Sequence, residues 1–399
     1  MRNKIIRTVT LVTALCAVAL LPAENEKPVN WQDLDAPYAT PSAQNRPEVI
    51  TQPDGAVLSV PAGFNVEVWA EGEFKRPRYM MLGPSNEVIM SDAARDGEGA
   101  VWVIHDGVNK KIISDLDRPF GLEMHEDWLY VAETVSIKRY RYDAENMAVT
   151  SSGEELYAMP EFGKGHWTRS LRFDPHHRKL YFSIGSESNV DPDTDRRRAA
   201  LHRMNPDGTN PEIVAEGLRN TIGLRFHPVT GDLWAAVQER DGLGDNLVSD
   251  FVTRIEEGGF YGWPYAYSGP HEDPRREGEN TARVESTLYP NVLMGAHVAV
   301  LGMTFYQGDM FPEKYRGGLF VAEHGSWNRA DRTGYSIVYI PFENGTASGG
   351  PEDFLTGWMS APDVRQVWGR PVAVLTLPDG SLLVSDDGAN KVWRVSYGE

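Results

Sequence analysis

From about residue 57 onward, short apolar runs alternate with turns rich in Pro, Gly and Asp, and the alternation recurs as a unit. Each unit is an apolar strand, a turn, and a second apolar strand ending in an acidic or small residue. First strands begin at Pro77, Pro119, Thr168, Thr221, Leu301 and Pro371, and a third strand-like run follows each pair, at 100–104, 137–140, 201–204, 252–255, 337–340 and 392–395. No unit can bury its apolar face alone, so six in-phase copies predict an all-β, six-bladed β-propeller. The units start 42, 49, 53, 80 and 70 residues apart, which places inserted loops near 260–297 and 323–368. The run from Val57 to Trp69 is expected to supply the strand that closes the ring with the last blade. Residues 57–399 are thus one domain, preceded at 24–56 by a polar, Pro-rich, irregular leader.

Residues 1–23 read as a signal peptide. Arg2, Lys4 and Arg7 precede an apolar stretch, Val9 to Leu21, that is too short to span a bilayer, and small residues follow it. The expected location is periplasmic or secreted, with no integral membrane segment after cleavage. Cys16 is the one cysteine and lies inside that peptide. The mature chain would therefore have no disulfide, no thiolate-bound zinc and no Cys-linked haem.

Composition sharpens the picture only in part. With 41% hydrophobic and 24% charged residues the chain is an ordinary globular protein, and its formal charge of −18 argues against nucleic acid as a partner. In a propeller, residues just before each first strand and just after each second strand share one rim. The positions before the first strands hold Arg76, Arg118, His166 with Trp167, Arg219 with Asn220, and Arg370, while His297 stands four residues upstream of Leu301. Those after the second strands hold Asp92, Glu133, Glu187, Glu239, Glu323 and Asp386. An acidic chain thus gathers cations round one channel mouth, which suits a polyanionic ligand. The carboxylates beside them suit a hard cation such as calcium, or else cap turns. The ten histidines show no local zinc-binding spacing, and His166 at the rim is a candidate general base.

Several stretches carry a family resemblance: Gly165-His-Trp-Thr-Arg-Ser-Leu, Gly217-Leu-Arg-Asn-Thr-Ile-Gly-Leu, Glu239-Arg-Asp-Gly-Leu-Gly-Asp, Gly258-Gly-Phe-Tyr-Gly-Trp-Pro-Tyr, Gly369-Arg-Pro-Val, and the run from Arg316 to Arg329 ending Glu-His-Gly-Ser-Trp-Asn-Arg. They resemble the sorbosone/glucose dehydrogenases, periplasmic six-bladed propellers that use pyrroloquinoline quinone (PQQ) and calcium. The resemblance implies oxidation of a sugar or sugar-derived aldehyde or alcohol, with His166 as the base. It places Arg219 and Asn220 beside the quinone oxygens, and Arg370, Arg329 and Arg118 on the cofactor carboxylates. Calcium bound to the cofactor would take backbone carbonyls of the turn 238–240, with Glu239, Arg240 and Asp245 as the expected metal residues. Two positions depart from the glucose-oxidising branch: Glu239-Arg240 stands where those relatives have Gly-Pro, and Glu187 aligns with a Gln beside the cofactor. Electrons would pass to a separate acceptor, a cytochrome or a quinone.

Two other functions fit the same rim. A calcium-dependent lactonase would hold its metal mainly by side chains, and a non-enzymatic propeller would bind a partner or glycan. Substrate contacts are expected from the inserted loops, with Tyr265, Tyr267, His271, Trp358 and Trp368 as candidates.

Overall fold

The computed structural model describes residues 27–174 and 176–398. The expected signal peptide, Cys16 and the first residues of the leader lie outside the described residues. Six antiparallel sheets of four or five strands follow one another along the chain and form the blades of a propeller. Their innermost strands are Pro77–Leu82, Leu122–His125, Leu171–Asp174, Asn220–Phe226, Val300–Phe305 and Pro371–Thr376. The ring closes as expected: Phe64–Glu71 is the outer strand of the last blade and pairs antiparallel with Lys391–Tyr397. The first and last strands of the domain therefore share one sheet, so the ring cannot open without breaking that ladder.

The middle of the channel is filled. Leu122, Ile222, Leu301 and Val372 come from four different inner strands, join one apolar cluster and are all at most 4% exposed. Each such side chain contributes about 1.5–3 kcal/mol by leaving water. Serines on the second strands fasten neighbouring blades. The Ser91 hydroxyl donates to the Phe120 carbonyl (2.9 Å), Ser183 to Thr221 (2.8 Å) and Ser385 to Arg78 (2.5 Å).

Three of the strand-end acids have a structural role. Asp92 accepts from the Arg76 amide (2.6 Å), Glu133 from the Asp117 amide (2.7 Å) and Asp386 from the Arg370 amide (2.7 Å). Each carboxylate thereby satisfies backbone N–H groups that enter an inner strand without a ladder partner. Their in-register spacing reflects a repeated turn device rather than a ring of ligands.

The leader is irregular, as expected, but it is tied to the rim. Glu48–Val49 pairs in parallel with Gln366–Val367, the Thr40 hydroxyl accepts from the Asp245 amide (2.7 Å), and the Arg332 guanidinium donates to Asn45 (2.6 Å).

Candidate active site

His166 arrives at the rim on the segment leading into the third inner strand, and its position is fixed twice by Ser186. The backbone amide of His166 donates to the Ser186 carbonyl at 3.0 Å, and ring Nδ1 lies 2.8 Å from the same oxygen. A carbonyl can only accept, so Nδ1 carries the proton and Nε2 keeps its lone pair. Burial, reinforced by the Arg219 guanidinium, depresses this histidine to about 3, so the ring is neutral at ordinary pH. Gly185 allows the approach: a Cβ there would stand 2.6 Å from the His166 Cβ and 2.7 Å from Asn220 Oδ1.

A cavity of about 310 Å³ opens in front of the ring, lined by His166, Arg219, Glu239, Asp241, His297 and Trp327 among others. Arg219 is buried and aimed by its neighbours. It donates to the Glu239 carbonyl (2.7 Å) and to Asn189 Oδ1 (2.9 Å), and its guanidinium lies 3.6 Å from Asp241. Asn220, next on the chain, donates to Gln238 (3.0 Å), while its own Oδ1 is buried without a hydrogen-bond partner, as is Glu239 Oε1. Across the cavity the Asn328 amide bridges His297 Nδ1 and the Asp241 carboxylate. Burial opposes charge on both, but their mutual pairing, with His297 Nδ1 3.6 Å from Asp241, holds His297 above and Asp241 below their ordinary values.

Of the site residues expected from the sequence, His166, Arg219, Asn220 and Glu239 are brought together. Arg370 and Arg118 belong to an adjoining part of the mouth. Arg370 donates to the His324 and Gly325 carbonyls at 3.2 and 3.3 Å, and Arg118 and Arg78 each stand 5.3 Å from the Trp167 ring. Arg78, which the sequence reading passed over, pairs with buried Asp387 at 2.8 Å, and burial lowers its guanidinium to about 10.

Three expectations are corrected, at Arg329, Asp245 and Glu187. Arg329 points away from His166, to Asn246 (3.1 Å) and a separate cavity lined by leader residues 32–35. Asp245 is drawn to the leader and to the Ala330 amide (3.2 Å). Arg240 is fully buried by its side chain, in ion pairs with Glu239 (3.0 Å) and Asp273 (3.2 Å), and donates to the Pro264 and Ala266 carbonyls. Its side chain ties the 238–240 turn to the inserted loop. Glu187 is turned outward and half exposed, 3.9 Å from Arg198, so no carboxylate from this position faces the cavity. The aromatic loop candidates Tyr267, Trp358 and Trp368 are buried in loop packing, and His271 stacks on Trp31 of the leader.

Asn189 was missed. Its carbonyl accepts from Arg219 and Trp263, its Oδ1 from Arg219 and the Asp241 amide, and its amide donates back to the Asp241 carbonyl. The available signal was its place four residues after a strand-ending glycine.

Comparison with known proteins shows what the chain is similar to. The family model of glucose/sorbosone dehydrogenases matches residues 128–326, and a TrAA12-like model matches 271–398. An uncharacterized protein of Borreliella burgdorferi is 30% identical over 358 residues, covering 86% of this chain and 91% of that one. The chain belongs to the glucose/sorbosone dehydrogenase family. A pyrroloquinoline quinone-dependent pyranose dehydrogenase of Coprinopsis cinerea is 24% identical; the match covers 85% of this chain but 54% of that protein, so this chain spans about half its length. Among solved structures, the calcium structure of the Trichoderma reesei family AA12 enzyme shares the fold, with a TM-score of 0.73 at 19% identity, covering 89% of this chain and 99% of that one.

Proposed function

We propose that this member of the family is a PQQ- and calcium-dependent dehydrogenase of a sugar or sugar-derived aldehyde or alcohol, exported to the periplasm or secreted. The observation that carries the reading is the neutral His166 ring, its protonated Nδ1 tied to Ser186 and its free Nε2 beside Arg219. The residues fit the cofactor. Arg219 is a buried guanidinium suited to oxygens that gain charge on reduction, and the Arg78, Arg118 and Arg370 group suits carboxylates. The two buried, unpartnered acceptors, Asn220 Oδ1 and Glu239 Oε1, suit a donor or a hard cation. PQQ, when bound, supplies the hydride acceptor.

The chain's part is then proton handling and charge stabilisation. His166 Nε2 takes the proton of a substrate hydroxyl, and the Ser186 carbonyl stabilises the imidazolium that results through Nδ1–H. Arg219 is held by Asn189 and Glu239 before any ligand arrives, so it needs no rearrangement to stabilise developing negative charge.

The lactonase reading is less well supported, because among the described residues no group of three or more His, Cys, Asp or Glu side chains could hold a metal ion. No helix among the described residues is long and apolar enough to cross a membrane. Electrons from the reduced cofactor would go to a separate cytochrome or quinone. The test is to mix the apoprotein with PQQ and calcium and follow absorbance, then reduction of an artificial dye by a panel of aldoses. Cofactor uptake with sugar-dependent dye reduction is expected; a protein that takes up no PQQ under these conditions contradicts the proposal.

A further inference from the structure

A second cavity, about 470 Å³ against about 310 Å³ at His166, opens at the opposite mouth of the channel. The inner strands begin at the His166 rim and end here. Asn220 stands at one end of its strand and Arg225 five positions on, roughly 17 Å away. The apolar plug of Leu122, Ile222, Leu301 and Val372 lies between the two mouths. Nothing that happens at His166 therefore involves this second cavity directly.

Half of its wall surface is apolar, with Leu82, Phe226, Phe305 and Leu375 among the lining residues, and in the polar half two arginines and one carboxylate from three neighbouring strands face one another. Glu123 is already saturated. It accepts from Arg172 Nη1 (3.3 Å), the Phe173 amide (3.0 Å) and the Met124 amide (3.2 Å). Arg225 spends one nitrogen, Nη1, on the Tyr79 hydroxyl (2.5 Å) and the Leu224 carbonyl (2.9 Å). Glu123 balances one of the two guanidinium charges and leaves one positive charge in excess. Two polar atoms of this lining, Arg172 Nε and Thr376 Oγ1, are buried with no hydrogen-bond partner. Buried donors without partners are costly, and two of them in one cavity with a surplus positive charge call for an acceptor ligand.

We propose that this distal mouth is a binding site for a small organic carboxylate, its oxyanion on Arg172, Arg225 and Thr376 and its body against the apolar wall. A single surplus charge suits a monoanion, and the apolar half of the wall gives an organic acid a surface to bury that inorganic phosphate lacks. The inference is independent of the proposed dehydrogenase activity.

Calorimetric titration of the full chain with benzoate in low-chloride buffer tests it, with inorganic phosphate in a parallel arm. Saturable one-site binding of benzoate is expected. Arg172→Gln should weaken it by about 10- to 150-fold, the usual worth of a charge-assisted contact. Arg219→Ala, at the other mouth, should leave it unchanged. Absence of saturation, equal affinity in Arg172→Gln, or loss in Arg219→Ala would overturn the site. Binding of phosphate in preference to benzoate would overturn the carboxylate assignment. If Arg172→Gln does not fold, Thr376→Val keeps the side-chain shape and should weaken benzoate several-fold; unchanged affinity there is equally decisive.

Discussion

His166 Nδ1 lies 2.8 Å from the carbonyl oxygen of Ser186, and that contact sets which ring nitrogen is free for chemistry. The same residue pair joins through the backbone, so the orientation of the ring is built into the turn after the third blade's second strand. Burial and Arg219 then keep the ring neutral.

The pH dependence follows from that neutrality. With the folded value depressed from 6.5 to about 3, the base form dominates at every pH above about 4. Between pH 5 and 8, kcat/KM should show no rising limb due to this group. The same shift makes the neutral ring a source of stability that is full above about pH 6.5 and lost as pH falls toward 3. A rising limb centred near 6.5 would mean that the free enzyme holds its base in a more polar setting than this cavity.

Two arginines separate the cofactor reading from its sequence-level form. Arg219→Ala should weaken PQQ binding about 10- to 150-fold, because it removes a charge-assisted contact from a buried anion site. Arg329→Ala should change it less than about twofold, since Arg329 faces Asn246 and the leader. Fluorescence quenching by PQQ reads both, with circular dichroism to confirm folding.

The ring of blades was legible because its signal is periodic. Alternating apolar positions repeated six times fixed the strands, and even the closing strand showed in the run that contains Val66 and Val68. What the rim residues face was not legible. Arg329 and Asn328 are neighbours in one motif, yet Asn328 lines the cavity and Arg329 points to the leader. Side-chain direction in irregular loops depends on partners far along the chain, such as Thr40 for Asp245, and no local spacing encodes that. The carboxylates illustrate the same limit: Asp92, Glu133 and Asp386 share a register with Glu239 and each accepts from a backbone amide, as Glu239 does through Oε2, but Glu239 alone of the four keeps a buried oxygen without a partner.

Arg240 carries a stability prediction. Its guanidinium is fully buried between Glu239 and Asp273, so Arg240→Met leaves buried Glu239 without its cation, while Asp273 keeps Arg275 at 2.7 Å. Removing one partner of such a group costs about 3–5 kcal/mol. A marked drop in Tm is expected in thermal unfolding; a Tm within about a degree of wild type would show the tie to be dispensable.

Glu323 predicts the alkaline side. Burial raises its carboxyl to about 8, and its neighbours include the Ser336 hydroxyl, which donates to it at 2.9 Å, and the Asp353 and Asp250 carboxylates. A group with a raised folded value stabilises fully below its unfolded value near 4.5 and loses that contribution as pH rises through about 8. Glu323→Gln should therefore lose less Tm than wild type between pH 7 and 9. Parallel curves for the two proteins would contradict a protonated Glu323.

The central claim is that His166 takes the substrate proton. Stopped-flow reduction of PQQ- and calcium-loaded protein by a responsive aldose, wild type against His166→Ala, tests it most directly. Removing a general base should slow the reductive step by about 10²- to 10⁴-fold, with PQQ affinity and Tm nearly unchanged. A variant that reduces the cofactor within about threefold of the wild-type rate, or that loses cofactor and stability together, would contradict it.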